Sequence, residues 1–328
     1  MNGGGTSRHI GRILIRAIVT LLMVAILNFI LFRVIPGDPA KLLLGGGRVS
    51  ATAEQIEAQR QNWGLDRPLL PDQLVDYLSA TVRGDLGYSF KFRGRHVADL
   101  ILERLPATIV LVAVAQLIAI VVGVMLGMYA GWRRGGALDN GGTVASLLLF
   151  STPSFWVGMI LVVVFSTKFG WLPGYGAYSP GGTISSIDSI LDHLRHLALP
   201  VTALALGLIG QYVLVARAAM SDVVTEDYMV TARAKGLTNR QMLMRHAFRN
   251  AMLPVVTLIA LNLGYAVAGA ITVEAVFAWP GIGGLTVEAL NARDYPVLQG
   301  VFLLLGASIV VSNMTADLAY GLLDPRVR

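Results

Sequence analysis

The chain has 328 residues, 55% of them hydrophobic and 14% charged, with a mean hydropathy of +0.64, more apolar surface than a water-soluble fold of this size can hide. Its net charge of +6 is scattered in short segments between apolar stretches, so it carries topology information and no nucleic-acid partner is expected. With no cysteine in the sequence, disulfides, thiolate metal sites and cysteine nucleophiles are excluded.

A hydrocarbon core about 30 Å thick asks for roughly 20 helical residues. Six stretches supply them, at about 12–34, 104–131, 143–168, 197–219, 251–277 and 297–321. The expected fold is an all-α integral membrane protein with six transmembrane helices, lipid as its solvent and both termini on one side. Residues 1–35 form the N-terminus and first span, a retained helix: its apolar run is too long for a signal-peptide core and leads into Arg33-Val-Ile-Pro-Gly-Asp instead of a small-residue cleavage site. Residues 36–103 read as a helical insertion outside the bilayer. There Thr52 with Gln55 makes a capping box for a helix that Gly64 ends, and Pro71 opens another whose Leu74, Tyr77, Leu78 and Val82 share a face before Gly84. Residues 104–328 hold the other spans.

Basic residues orient these spans. Arg8, Arg12 and Arg16 precede the first, Arg133 and Arg134 follow the second, six Lys/Arg lie in 217–250, and Arg326 and Arg328 close the chain. The loops at about 169–196 and 278–296 hold only Arg195 and Arg293. The positive-inside rule therefore places both termini and the 220–250 loop in the cytoplasm, and span parity places 36–103 outside.

Pro153 interrupts the third span, where it should kink the helix and free a backbone carbonyl. With Phe155 and Trp156 it is a candidate for lining a translocation path; a packing bend with lipid-facing aromatics is the plainer reading. Trp132, Trp171 and Trp279 fall at span ends, as interface anchors do. His193 and His196 alone do not make a metal or catalytic site and are expected to line the outer approach to span four. Glu274 and Asp317 lie near the ends of spans five and six, in reach of the headgroups, with no acidic chain across the midplane. Between spans four and five runs Asp227-Tyr-Met-Val-Thr-Ala-Arg-Ala-Lys-Gly-Leu237. On a helix Tyr228, Ala232 and Gly236 stack at intervals of four and leave a smooth stripe for close approach of another protein. A loop whose charges only fix topology accounts for the same residues.

This stretch resembles the EAA loop of ABC importer permeases, whose short helix, glycine and downstream Leu-Pro form the coupling helix that docks in a groove of the ATPase subunit. The resemblance puts the glycine at Gly236 and the proline at Pro254, and implies ATPase coupling by Tyr228, Ala232, Arg233, Lys235, Gly236, Leu237 and Pro254. Thr231-Ala232-Arg233 stands where many members carry Glu-Ala-Ala. Further motifs appear in order: Phe32-Arg-Val-Ile-Pro-Gly-Asp-Pro39, Gly84-Asp-Leu-Gly-Tyr-Ser89, Ser151-Thr-Pro-Ser-Phe-Trp156, Gly170-Trp-Leu-Pro-Gly174, Val273 to Gly284, Arg293-Asp-Tyr-Pro296 and Leu323-Asp-Pro-Arg326. Together they resemble the dipeptide/oligopeptide (nickel/peptide) branch over nearly the whole chain.

The resemblance implies a type I importer permease in a bacterial or archaeal cytoplasmic membrane, moving di- or oligopeptides inward. It implies a second homologous permease subunit, two ATP-binding subunits carrying ATP and Mg, and an extracytoplasmic substrate-binding protein. The chain itself is expected to be no enzyme and to hold no cofactor or metal, since Gly-x-x-x-x-Gly-Lys-Ser/Thr occurs nowhere in it and each lysine is followed by Leu, Phe or Gly. Nickel, glutathione-like or other small solutes, carried by permeases of the same branch, are the alternative cargo. An ion-coupled secondary transporter would show inverted repeats, matching broken helices or midplane acids, and none is evident.

Overall fold

The structure, a computed structural model, describes residues 3–34, 52, 57, 68–92, 94–179 and 187–323. Its helices in chain order are α1 (Gly3–Phe29, closed by the π-helical turn Ile30–Val34), α2 (Leu74–Val82), α3 (Val97–Trp132), α4 (Ala137–Ser151), α5 (Ser154–Leu161, continued by the π-helical turn Val162–Lys168), α6 (Ile187–Val224), α7 (Asp227–Ala234), α8 (Phe248–Val276, entered through Asn239–Gln241 and Met242–Ala247), α9 (Ile282–Ala292) and α10 (Tyr295–Leu323). Among the described residues no strand forms beyond an isolated bridge between Tyr88 and His96. Gln55 and Gly64, and with them the expected capping box at Thr52, lie outside the described residues, as does the Asp324-Pro-Arg326 end of the last motif.

Five segments are each long and apolar enough to cross a membrane: Gly11–Arg33, Val97–Trp132, Asp188–Val224, Asn239–Gly264 and Tyr295–Leu318. The sixth crossing needs both halves of a broken helix, Asp139–Ser151 and Ser154–Lys168, bent by 96°. The expected kink at Pro153 is thus a right-angle break. Proline has no N–H for the Leu149 carbonyl and its ring disfavours helical backbone in the residue before it; Thr152 and Pro153 accordingly leave the helical region with ψ of 126° and 129°. The hydroxyls of Ser151 and Thr152 fold back onto the carbonyls of Leu147 and Leu148, keeping acceptors near the break occupied. The second span also begins earlier than expected, at Val97 instead of near residue 104, because a helix need not stop where the hydrocarbon does.

α6 is the axis of the bundle, with α3, α4, α5 and α8 packed on it. α3 meets it through Gly123, Gly127 and Gly131, spaced by four and so on one face. A Cβ at Gly123 would stand 2.6 Å from Tyr212 Cβ, one at Gly127 2.5 Å from the Val213 carbonyl oxygen, and one at Gly131 2.5 Å from the Arg217 carbonyl oxygen. Lipid gives apolar helices no reason to associate, so this backbone-to-backbone approach and its dispersion contacts hold the pair. Gly264 repeats the device between α8 and α10, 2.7 Å from the Ser308 carbonyl oxygen on the same construction. On α2, Leu74, Tyr77 and Leu78 are half-buried as expected, but Val82 is 88% exposed. It lies eight residues, about 80°, round the helix from Leu74 and is its last residue.

Candidate functional site

α7 ends where its sequence requires. Past Ala234 the chain turns left-handed at Gly236 (φ +76), with the Leu237 N–H donating to the Ala232 carbonyl at 3.3 Å and the Gly236 N–H to the Arg233 carbonyl at 3.0 Å. That pair of bonds is a Schellman ending, which favours glycine at the left-handed position. Thr238 restarts the helix with a capping box, its N–H donating to Gln241 Oε1 at 2.9 Å and its hydroxyl accepting the Gln241 N–H. Gly236 therefore sits exposed at the tip of a helix–turn–helix, with nothing of its own chain within 4 Å of where a Cβ would stand. Arg233 and Lys235 are exposed beside it and Leu237 is half-buried.

The expected stripe of Tyr228, Ala232 and Gly236 divides. Ala232 is only 6% exposed and packs in one core with Met229 and Met242, because residues three apart share a helix face and this one is apolar. Gly236 lies beyond the helix end. Tyr228, at 38% exposure, accepts a hydrogen bond from Asn250 Nδ2 at 2.9 Å. Pro254 lies exposed within α8. Arg217, one of the topology charges, pairs with Asp139, which also accepts the Gly135 N–H at 2.9 Å and so ties α6 to the start of α4.

A cavity of about 530 Å³ opens at the break between α4 and α5, walled by Val112 and Ala115 of α3, Thr152, Pro153 and Ser154 at the break, Gln211 of α6 and Asn262 of α8. Pro153 therefore lines it; Phe155 and Trp156 do not, standing 40% and 51% exposed on the outside of α5. Behind the cavity runs a network that the sequence reading missed. Asn262 Nδ2 donates to Gln211 Oε1 at 2.9 Å and to the Tyr212 hydroxyl at 3.3 Å, and Gln116 Nε2 donates to the same hydroxyl. Carboxamides in the middle of apolar spans were the available signal, since an unpartnered polar group in hydrocarbon is costly.

At the other end of α3, two fully buried carboxylates organise the stretch between α8 and α10. Glu274 does not reach the headgroups: its Oε1 accepts from Thr108 Oγ1 at 2.6 Å and its Oε2 from the Gly283 N–H at 2.6 Å, so it caps α9. Thr108 Oγ1 in turn accepts the Ile282 N–H at 2.8 Å. Asp294 accepts from Ser89 Oγ at 2.5 Å and from the N–H groups of Phe90 at 3.1 Å and Lys91 at 3.0 Å. The Gly84–Ser89 and Arg293–Pro296 motifs thus meet in space. Trp279 is a core residue and not an interface anchor: it is 1% exposed and its indole N–H donates to the Ala107 carbonyl at 3.1 Å. His193 stacks on Tyr178 at 4.7 Å with Nδ1 2.9 Å from the Ala177 carbonyl oxygen, and buried His196 sets Nδ1 2.9 Å from that of Asp192; both are packing residues.

The sequence pattern of the binding-protein-dependent transport system inner membrane component matches residues 123–328, and that of the N-terminal region of such membrane components matches residues 7–112. The chain is 39% identical to the di/tripeptide transport system permease protein DppB of Pseudomonas aeruginosa (strain UCBPP-PA14), over 95% of this chain and 96% of that one. It is 41% identical to a protein of Brucella suis biovar 1 (strain 1330) named as a peptide permease, over 94% and 95%. Among solved structures, a chain of the inward-facing methionine ABC transporter MetNI superposes with a TM-score of 0.55 at 16% identity, over 69% of this chain and 96% of that one. That likeness is one of fold.

Proposed function

Because the chain belongs to the binding-protein-dependent transport system inner membrane component family, we propose that it forms one half of the channel of an ATP-driven importer carrying di- or oligopeptides into the cytoplasm. The chain is a multi-pass permease component of an ABC importer and not an enzyme. The near-full-length similarity to a di/tripeptide permease carries the peptide reading. The cavity at the broken span agrees with it, its lining among the described residues being apolar side chains, glycine, hydroxyls and the carboxamides of Gln211 and Asn262.

In this reading the exposed turn at Gly236, with Tyr228, Arg233, Lys235 and Leu237, meets an ATPase subunit, while Ala232 supports the turn from inside and Pro254 lies on the helix behind it. Two such ATPases hold the ATP and Mg, a second homologous permease completes the channel, and a substrate-binding protein delivers cargo on the α9 side, where Ser89–Lys91 meet Asp294. The membrane is the inner membrane of a bacterium or archaeon, with both termini and the 220–250 loop in the cytoplasm.

The test is uptake by the complete complex in vesicles. Labelled di- and tripeptides are expected to enter only with ATP and binding protein present, and uptake of nickel or glutathione in their place would overturn the peptide reading. Sidedness is read in the cysteine-free chain: Val82→Cys and Tyr175→Cys should react with an impermeant thiol reagent in intact cells, and Thr238→Cys should not. The reverse pattern would invert the topology.

A further inference from the structure

The cavity at the broken span has unused hydrogen-bonding capacity of a particular kind. Asn262 is 7% exposed and both its known bonds, to Gln211 Oε1 and the Tyr212 hydroxyl, run through Nδ2. Its Oδ1 accepts nothing among the described residues. Gln211 accepts through Oε1, and its Nε2 donates to nothing among them. Both residues line the cavity. The third wall adds donors: α5 starts at Ser154 with no side-chain cap, and the first N–H groups of α5 to bond back to Pro153 are those of Trp156 at 3.0 Å and Val157 at 3.2 Å, leaving the Ser154 and Phe155 N–H groups beside the break without partners among the described residues. The remaining lining is apolar or glycine, with Thr152 already donating to the Leu148 carbonyl.

Two hydrogen-bonded carboxamides that line an apolar cavity, one with an amide oxygen and the other with an amide N–H that have no partner among the described residues, can take a ligand that offers one donor and one acceptor. Each peptide unit offers that pair, whatever its side chains. A charged wall would select among side chains, and this wall carries no charge. A cavity of about 530 Å³ also falls in the usual range for small-ligand sites, about 300–1,000 Å³.

We infer that Asn262 and Gln211 form an intramembrane subsite for the main chain of a peptide in passage, Asn262 Oδ1 accepting a peptide N–H and Gln211 Nε2 donating to a peptide carbonyl. The free amides at the start of α5 supply further donors to oxygens of the same ligand. The subsite rests on the reading of the chain as a peptide permease and adds to it how one channel passes peptides of many sequences: it grips what all of them share.

The experiment uses the complete complex in vesicles and two substrates, a labelled dipeptide and the same dipeptide methylated on its peptide nitrogen. Asn262→Leu is expected to lower dipeptide uptake about five-fold, the scale of one neutral hydrogen bond, and to change uptake of the methylated analogue less than two-fold, so that discrimination between them shrinks about five-fold. The binding protein is the same in both arms, so the change in discrimination belongs to this chain. Equal losses for both substrates, the signature of a purely structural role, or no loss for either, would overturn the subsite. Failure of the wild-type complex to import either peptide would instead sink the peptide reading beneath it. A second measurement stands if Asn262→Leu does not assemble. Leu208→Cys puts a single thiol into the same cavity, excess dipeptide is expected to slow its labelling by a small maleimide several-fold during turnover, and absence of protection would equally overturn the subsite.

Discussion

At the α9 end of the bundle the fastening is done by carboxylates without solvent exposure, Glu274 on Thr108 and Gly283, Asp294 on Ser89, Phe90 and Lys91. Around α7 itself it is done by methyl and thioether groups, Ala232, Met229 and Met242, with the polar bonds, Tyr228 to Asn250 and Thr238 to Gln241, at the surface and the Asp139–Arg217 pair set back between α4 and α6. A charge-assisted hydrogen bond away from water is directional and expensive to break. Apolar contact is neither directional nor tied to one register. The α9 end is therefore a fixed frame that holds its shape alone. The α7 tip is held on one side only and presents an exposed left-handed turn to whatever covers it.

Removing Glu274 should have the largest effect on this contrast. Glu274→Leu leaves the Thr108 hydroxyl and the Gly283 N–H buried without their acceptor, and about 3–5 kcal/mol of stability should be lost, read as a lower midpoint in thermal unfolding of the detergent-purified chain. An unchanged midpoint would show that α9 needs no carboxylate. Asp294→Ala should cost less, about 2–3 kcal/mol, and locally: trypsin should cut after Lys91 on the order of ten-fold faster as residues 89–91 come off α10. Equal cleavage rates would mean that another contact holds that strand of chain.

Gly236 tests the other end. A left-handed residue with a Cβ costs about 1–2 kcal/mol, and asparagine tolerates that backbone best after glycine. Gly236→Asn should keep the purified chain within about 0.5 kcal/mol of wild type, whereas Gly236→Glu should destabilise it modestly and collapse both peptide uptake and co-purification of the ATPases. Wild-type uptake and co-purification in Gly236→Glu would reduce the glycine to a helix ending. The smallest effect should come from Tyr228→Phe, below about 1 kcal/mol because its bond to Asn250 is exposed. A loss comparable to that of Asp294→Ala would erase the distinction between the two ends.

The spans were legible because hydropathy is a local signal, whereas Gly236 reads in the sequence as part of a helical stripe and in fact lies in a left-handed turn past the helix end. The Asp294 site was not, since its donors lie about two hundred residues away in sequence and nothing in the Arg293–Pro296 motif names Ser89 as its partner. Pro153 announced a lost hydrogen bond but not a 96° break, which depends on what packs around it. Trp279 misled because a tryptophan at a span end suits the interface, and only the fold shows the loop turning inward over Ala107. Ala232 was half legible: the spacing of Met229 and Ala232 marks a buried face, and the stripe argument set Ala232 on the open one. Gln116, Gln211 and Asn262 carry no charge and so passed unnoticed among apolar neighbours, although their cost in hydrocarbon marks them out. Gly123, Gly127 and Gly131 were in plain view at intervals of four.

At those three glycines the backbone of α3 meets α6 with no side chain of its own between them. The close approach runs over Gly123 to Gly131, about 12 Å of a helix that at 36 residues measures about 54 Å. α6 runs down to Val224, three residues before α7 begins, and α3 starts at Val97, beside the packed face of α9. The right-angled joint between α4 and α5 is the contrasting element, a 96° break packed against the same α6.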